Sequence, residues 1–140
     1  MEKYDYLKYW RVIRYYVKAR YNLSTADLEM LLFLYSEKRF NKDKFKEFEE
    51  LMSWDVNRFD RLKRDDWIVV FRKRHGHTKA LYKLSFKANH LINSVYKKLN
   101  GEEIPETESK NPMFRKKVKY TDKVYRNFIK SMNKFTKENK

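Results

Sequence analysis

The residues with the most chemistry to offer are cations, and they fall in two short stretches. Arg72, Lys73, Arg74, His75, His77 and Lys79 crowd around Gly76. Cations gathered at one tip suit phosphate oxygens or the negative potential of a narrow minor groove. The second stretch holds Trp54, Asn57, Arg58, Arg61 and Arg64. Arg presents a planar fork that matches the O6 and N7 edge of guanine, and Asn matches adenine in the same way. Lys42 and Lys44 come just before this stretch and would neighbour backbone phosphates. Each group also has a plainer reading: a hairpin edge kept soluble by charge, or a solvated helix face on which Arg61 and Arg64 pair with nearby acids. Other chemistry finds little support. His75 and His77 lie two apart and His90 follows, but no carboxylate occurs between 67 and 101 to complete a metal set. Asp65-Asp66 reads as a helix end rather than a metal-binding pair. No Ser/His/acid arrangement is legible, so no enzyme, metal or cofactor is expected.

Length and composition bound the rest. The 140 residues make one domain's worth of chain, with a formal net charge of +15. Leu, Ile, Val and Phe make up a quarter of the residues, above the roughly 20% below which a highly charged chain stays disordered. Absence of Cys excludes a disulfide scaffold, a Cys-bearing zinc site and a thiol nucleophile. Only two Gly occur, so Gly-rich phosphate loops are excluded. The longest solid apolar run, Met30 to Tyr35, is too short to span a bilayer. Met1 to Asp5 has no apolar signal core behind it, and a reduced, cytoplasmic setting is expected. The charge is uneven. Residues 67–100 carry eight cations and no anion, and 115–140 carry ten cations and two anions, with the acidic stretch 101–114 between them. Such blocks point to a polyanionic partner.

The elements that must position these cations follow from periodicity and caps. Tyr6, Trp10, Ile13 and Val17, with a second stripe of Leu7, Tyr9, Val12 and Tyr16, predict a helix over 4–20. Two apolar faces ask for two partners, the chain's own core and a second subunit. Leu23-Ser24-Thr25-Ala26-Asp27-Leu28 reads as a helix start, with Ser24 as cap, Asp27 answering it, and Leu23 stapled to Leu28. The helix continues through Tyr35, apolar nearly all round and therefore buried. Asn41 would cap a third helix with Phe45, Phe48 and Met52 inward. Ser53 would cap a fourth with Val56, Phe59 and Leu62 inward. A helical wheel then puts Asn57, Arg61 and Arg64 outward, flanked by Trp54 and Arg58, with Asp55 and Asp60 at the sides. Residues 67–72 and 80–84 are β-rich, and 73–79 between them forms the tip of a hairpin. Trp67 and Tyr82 read as core rather than as base-stacking groups. Ser85 would cap a fifth helix carrying Ala88, Leu91, Ile92, Val95 and Leu99, stopped at Asn100-Gly101. Residues 101–113, with two Pro and four Glu, read as linker. Thr121 would cap a last helix whose stripe is Val124, Phe128, Ile129, Met132 and Phe135.

Helix-turn-helix followed by hairpin and helix is a winged helix. Residues 23–99 resemble the MarR-type winged helix-turn-helix regulators. The likeness rests on the Leu23-Ser24 start, the spacing Val56, Phe59, Leu62, Trp67, Ile68 from recognition helix into wing, and Leu84-Ser85 opening the next helix. It implies dimerisation through the terminal helices, 4–20 and 121–137. Asp66 stands where such regulators often carry Gly, the wing has no acid, and Ala88 replaces a common Gly. A divergent, phage-encoded member fits these departures. The family often binds small aromatic effectors between dimer helices and DNA-binding domain, and no residue here marks such a pocket.

The expected architecture is therefore mainly α with a small β-hairpin wing: an N-terminal dimerisation helix at 1–22, a DNA-binding domain at 23–100, a linker at 101–120, and a C-terminal dimerisation helix with basic tail at 121–140. The expected function is sequence-specific binding of double-stranded DNA by a homodimeric transcription regulator in the cytoplasm, or in the host's if phage-encoded. Two other readings stay open. One is a winged helix used for protein contacts. The other is single-stranded nucleic acid or RNA binding on the many Tyr and Phe, although these sit mostly at core spacings.

Overall fold

A computed structural model describes residues 5–138. The expected helix start at Tyr4 and the last two residues of the basic tail lie outside the described residues. In chain order the elements are α1 (Tyr6–Tyr21), α2 (Thr25–Tyr35), α3 (Lys42–Glu49), α4 (Arg58–Arg64), β1 (Ile68–Arg72), β2 (Leu81–Leu84), α5 (Phe86–Leu99), a 3-10 turn (Pro112–Phe114) and α6 (Tyr120–Glu138). The chain forms two compact units. One is Ala26–Asn93; the other joins the residues up to Thr25 with those from Ser94 onward.

The central unit is built around α2, whose Leu28, Met30, Leu31 and Leu34 are all buried. Their spacing covers the helix nearly all round, as an interior helix requires. Asn41 caps α3 by accepting the Lys44 N–H at 3.0 Å. Strands β1 and β2 run antiparallel with Ile68 opposite Leu84 and Val70 opposite Tyr82, and a bulge falls between Val70 and Arg72. Tyr82 also bridges to Phe40, with the Tyr82 N–H donating to the Phe40 carbonyl at 2.7 Å. Trp67 and Tyr82 are buried core residues. Ser85 caps α5 by accepting the Ala88 N–H at 3.1 Å. Asp66 has φ 62, a left-handed conformation that a side chain adopts at some cost.

Three sequence expectations about this unit need correction. The fourth helix does not begin after Ser53; it begins at Arg58, with Asn57 at its N-cap position. Residues 53–57 are turn, because Glu49 Oε1 accepts the Asp55 N–H at 3.2 Å and the Asp55 carboxylate accepts the Asn57 N–H at 3.0 Å. Val56 consequently points to solvent at 72% exposure instead of into the core. Met52 lies beyond the end of α3.

In the other unit α1 packs against α6 and the 3-10 turn. Tyr9, Val12, Ile13, Tyr16 and Val17 are buried, drawing on both of the stripes read in α1, while Tyr6 and Leu7 remain exposed. Tyr15 stacks on Tyr125 at 3.9 Å between ring centres. Helix α6 begins one residue before Thr121, which lies inside the first turn rather than capping it. Of its stripe, Ile129 and Met132 are buried, and Phe128 and Phe135 are exposed. The stretch after Gly101 is more than a connector. Asn133 is buried; its Oδ1 accepts the Ile104 N–H at 2.9 Å, and its Nδ2 donates to the Ile104 carbonyl and to Glu106. Asn111 is buried in the same stretch, donating to the Pro105 carbonyl and accepting the Met113 N–H.

Candidate nucleic-acid interface

The wing presents its cations to solvent. Every residue from Phe71 to Lys79 is exposed. The tip is closed by a His75–Thr78 bridge, with Gly76 at φ 59 supplying the left-handed turn residue. Arg72 donates to the Lys79 carbonyl at 3.3 Å and Arg74 to the Gly76 carbonyl at 3.2 Å, so both guanidiniums are held loosely along the hairpin. Lys79 pairs with Asp43, whose carboxyl this bond holds below the usual range. Lys73, His75 and His77 are exposed without a side-chain partner among the described residues. Arg39 and Lys83 both lie over the Phe71 ring, at 3.9 and 5.9 Å, and add two cations to the wing that the sequence reading left out. No three His, Asp or Glu side chains converge as metal ligands among the described residues.

Helix α4 is turned differently from the expected wheel. Arg58 is 2% exposed, so it is not an outward base-reading residue. Its Nε donates to Asp27 Oδ1 at 2.9 Å, and its Nη1 donates to Glu49 Oε1 and to the Ser53 carbonyl. Burial works against the charged guanidinium, but the bonds to Glu49 and Asp27 outweigh it and raise the Arg58 pKa. Arg61 is also displaced from the centre of the outward face. It grips Asp27 with Nε and Nη2, at 3.0 and 2.8 Å, and reaches Asp55 at 2.9 Å. The Asp27 bond raises its pKa further still. A fork already closed on two carboxylates is not free to take guanine. Asp27, read from sequence as a helix-start residue, is thus the buried anchor for two arginines. The expected wheel took its inward face from Val56, Phe59 and Leu62; Val56 precedes the helix and is exposed, so the inward face turns toward Leu62 and Arg58, with Arg61 at its edge.

The face that remains outward holds Asn57, Asp60, Lys63 and Arg64, all exposed. Arg64 makes only a surface pair with Asp65, at 3.1 Å. Lys63, which the sequence reading passed over, lies 5.7 Å from the Tyr82 ring centre. Trp54 stands in the turn before α4 at 80% exposure. Lys42 is exposed over the Phe59 ring, while Lys44 is half-buried and paired with Glu47 at 3.2 Å. Phe59 meets Phe45 and Tyr82 edge-on, which ties α4 to α3 and to the wing.

The fold of the chain is similar to that of solved structures of low sequence identity. AbfR, determined in a disulfide-formed state, is similar over 95% of this chain and 82% of its own, with a TM-score of 0.52 and 11% identity. A MarR mutant from E. coli complexed with operator DNA matches over 89% of this chain and 84% of its own, with a TM-score of 0.48 and 12% identity. No family model matches the chain, and no curated protein matches it in sequence. No helix among the described residues is long and apolar enough to cross a membrane.

Proposed function

We propose, from a winged-helix fold of MarR type, that this chain binds double-stranded DNA as a homodimeric transcription regulator. The observation that carries this reading is the wing: a fully exposed tip bearing Arg72, Lys73, Arg74, His75, His77 and Lys79, in a stretch without a single acid. Cations so placed follow phosphates or enter a minor groove. Asn57, Lys63 and Arg64 are the outward groups of α4 left to read base edges, with Trp54 beside them. Lys42 and Lys44 neighbour the backbone. Arg58 and Arg61 act as positioning residues, holding α4 to α2 through Asp27.

The test is a duplex selected from random sequence, titrated beside its scrambled counterpart. If some six phosphates are neutralised, log K falls against log salt with a slope of about −5. Arg74→Ala should weaken both duplexes alike and reduce that slope by about one, as loss of a phosphate contact does. Absence of duplex binding at low salt, or a flat salt response, would refute the reading. One observation favours a protein-contact module instead: Leu51, Trp54 and Val56 are all exposed at the turn between α3 and α4. In that case affinity for DNA would be weak and indifferent to the wing.

A further inference from the structure

The second basic block of the sequence, residues 115–140, takes no part in the wing. Its first cations border a cavity of about 430 Å³ in the unit that joins the two ends of the chain. One wall is the C-terminal end of α1, and the other is the chain running from the 3-10 turn into α6. Both walls are held in place. Arg126 donates to the Met113 and Arg115 carbonyls at 3.4 and 3.3 Å, which ties the 3-10 turn to α6. The Tyr15 hydroxyl donates to Asp122 at 2.5 Å, joining α1 to α6 through two residues that line the cavity.

The lining is divided by chemistry. Met113 is fully buried, and Ala19, Pro112 and Val118 are half-buried, so the floor is apolar. Tyr15 adds an aromatic wall backed by the stacked ring of Tyr125. Lys18, Arg115, Lys117 and Lys119 are exposed and form the rim. None of these four side chains has a hydrogen-bond, ion-pair or ring partner among the described residues. By contrast, Lys44 and Lys137 are paired with Glu47 and Glu103. Asp122 is the one acid in the lining, and it already accepts the Tyr15 hydroxyl. A recess bordered by one sign of charge over low-dielectric walls focuses its field and gathers counter-ions.

We propose that this cavity binds a small organic phosphate with a planar body, the class of the nucleotides. Lys18, Arg115, Lys117 and Lys119 hold the phosphates, and the body lies on the Met113 floor. A guanidinium takes two phosphate oxygens at once, and ammonium groups add point charges around them. A single carboxylate brings one charge and would leave most of the rim unpaired. Inorganic phosphate would leave the apolar floor unused. The size fits, since small-molecule sites occupy about 300–1,000 Å³ and set a few polar groups in an apolar lining. None of these residues belongs to the wing or to α4, so the site is independent of DNA binding.

The experiment uses the full chain with ADP as the probe, and pyrophosphate and adenosine as its two halves. Binding is measured by calorimetry and located by the Met113 methyl resonance, identified with Met113→Leu. ADP should shift that resonance saturably and bind more tightly than either half, and benzoate should leave it unmoved. Arg115→Ala and Lys117→Ala should each weaken ADP by about fivefold, the net worth of one hydrogen bond. Asp122→Asn should tighten it, because the opposing charge goes while an acceptor for Tyr15 stays. Lys97→Ala and Lys134→Ala, exposed but outside the cavity, and Arg74→Ala on the wing should change nothing. The substituted cations are all exposed, so these variants keep the fold. Equal weakening by Lys97→Ala or Lys134→Ala would reduce the rim to diffuse surface charge. Pyrophosphate binding as tightly as ADP would leave the floor without a role. Duplex DNA weakened by Arg115→Ala as much as by Arg74→Ala, with ADP unbound, would make the rim a DNA contact. Each of these results, like an unmoved Met113 signal, would overturn the proposal. Absence of duplex binding with ADP binding intact would instead refute the DNA reading alone.

Discussion

Removing the Arg58 guanidinium would leave Asp27 and Glu49 as buried carboxylates short of a donor. Breaking one side of a buried ion pair costs far more than the pair contributes, because the remaining charge keeps its desolvation penalty. Arg58→Ala should therefore destabilise the protein by about 3–5 kcal/mol in denaturant unfolding. Arg64→Ala should do the reverse of this. Its pair with Asp65 is exposed, so stability should change by about 0.5 kcal/mol or less. On a selected duplex it should cost about 1–3 kcal/mol, with little effect on scrambled DNA. If Arg58→Ala unfolded normally while losing DNA affinity, the positioning role would be wrong. At this scale residue types were legible and pairings were not. The acids that claim Arg58 and Arg61 include Asp27, which is distant in sequence and resembles a helix-start residue beside Ser24. Glu49 looks like one more acid in a charged helix. Only folding brings them to the same guanidinium. Arg64, Asn57 and the wing cations lie at the surface as expected, with neighbours near in sequence or none, except Lys79, which pairs with the distant Asp43.

Helix α4 is held at its entrance by Asp55, and that hold titrates. The Arg61 hydrogen bond, followed by the Asn57 N–H, keeps the Asp55 carboxyl below its ordinary pKa. A folded pKa below the unfolded one means the contribution is complete above the unfolded value, near 4, and is lost as pH falls through the depressed value. Wild type should therefore exceed Asp55→Asn in stability at neutral pH, and the two should converge on acidification below about pH 4. Parallel acid titrations, without convergence, would show that Asp55 does not hold this turn. A second element depends on one amide. Asn133 joins α6 to the stretch after Gly101 by pairing both backbone groups of Ile104. Asn133→Ala leaves a buried N–H and C=O without partners and should cost about 2–3 kcal/mol by thermal unfolding. Helices α2, α3 and α5 and both strands followed from periodicity and caps, because their signals are local. The start of α4 did not, since Ser53 is an adequate cap and what overrides it is Glu49 binding the Asp55 N–H. The stretch after Gly101 looked like linker because Pro and Glu dominate it. Its anchors, Ile104, Asn111 and Met113, are single buried residues without a period to reveal them.

The proposed dimer belongs to the scale of the whole molecule, and the folded chain narrows where such a contact could form. Most of both stripes on α1 is buried within the chain, so the sequence argument that a second face awaits a partner holds only for its N-terminal end, where Tyr6 and Leu7 are exposed. Helix α6 exposes Phe128 and Phe135 in the same unit, beside a recess that they share with Asp5, Lys8 and Tyr9. A two-fold contact needs one self-complementary patch, and these apolar groups from both terminal helices supply the material for it. Light scattering should give twice the chain mass of 17.5 kDa at micromolar concentration. Leu7→Lys should shift it toward the monomer, because the charge enters an apolar contact without a partner. The same symmetry makes a prediction on DNA. Two recognition helices related by a two-fold axis reach successive major grooves about 34 Å apart. Inserting about 5 bp between half-sites of a selected duplex turns the second half-site to the opposite face of the helix. Affinity should then fall to that of a single half-site, and restoring a full turn of about 10 bp should recover part of it. A monomer reading one half-site would be indifferent to both insertions. Leu7→Lys supplies the control, since a chain that no longer pairs should lose the spacing dependence while keeping the wing's salt dependence.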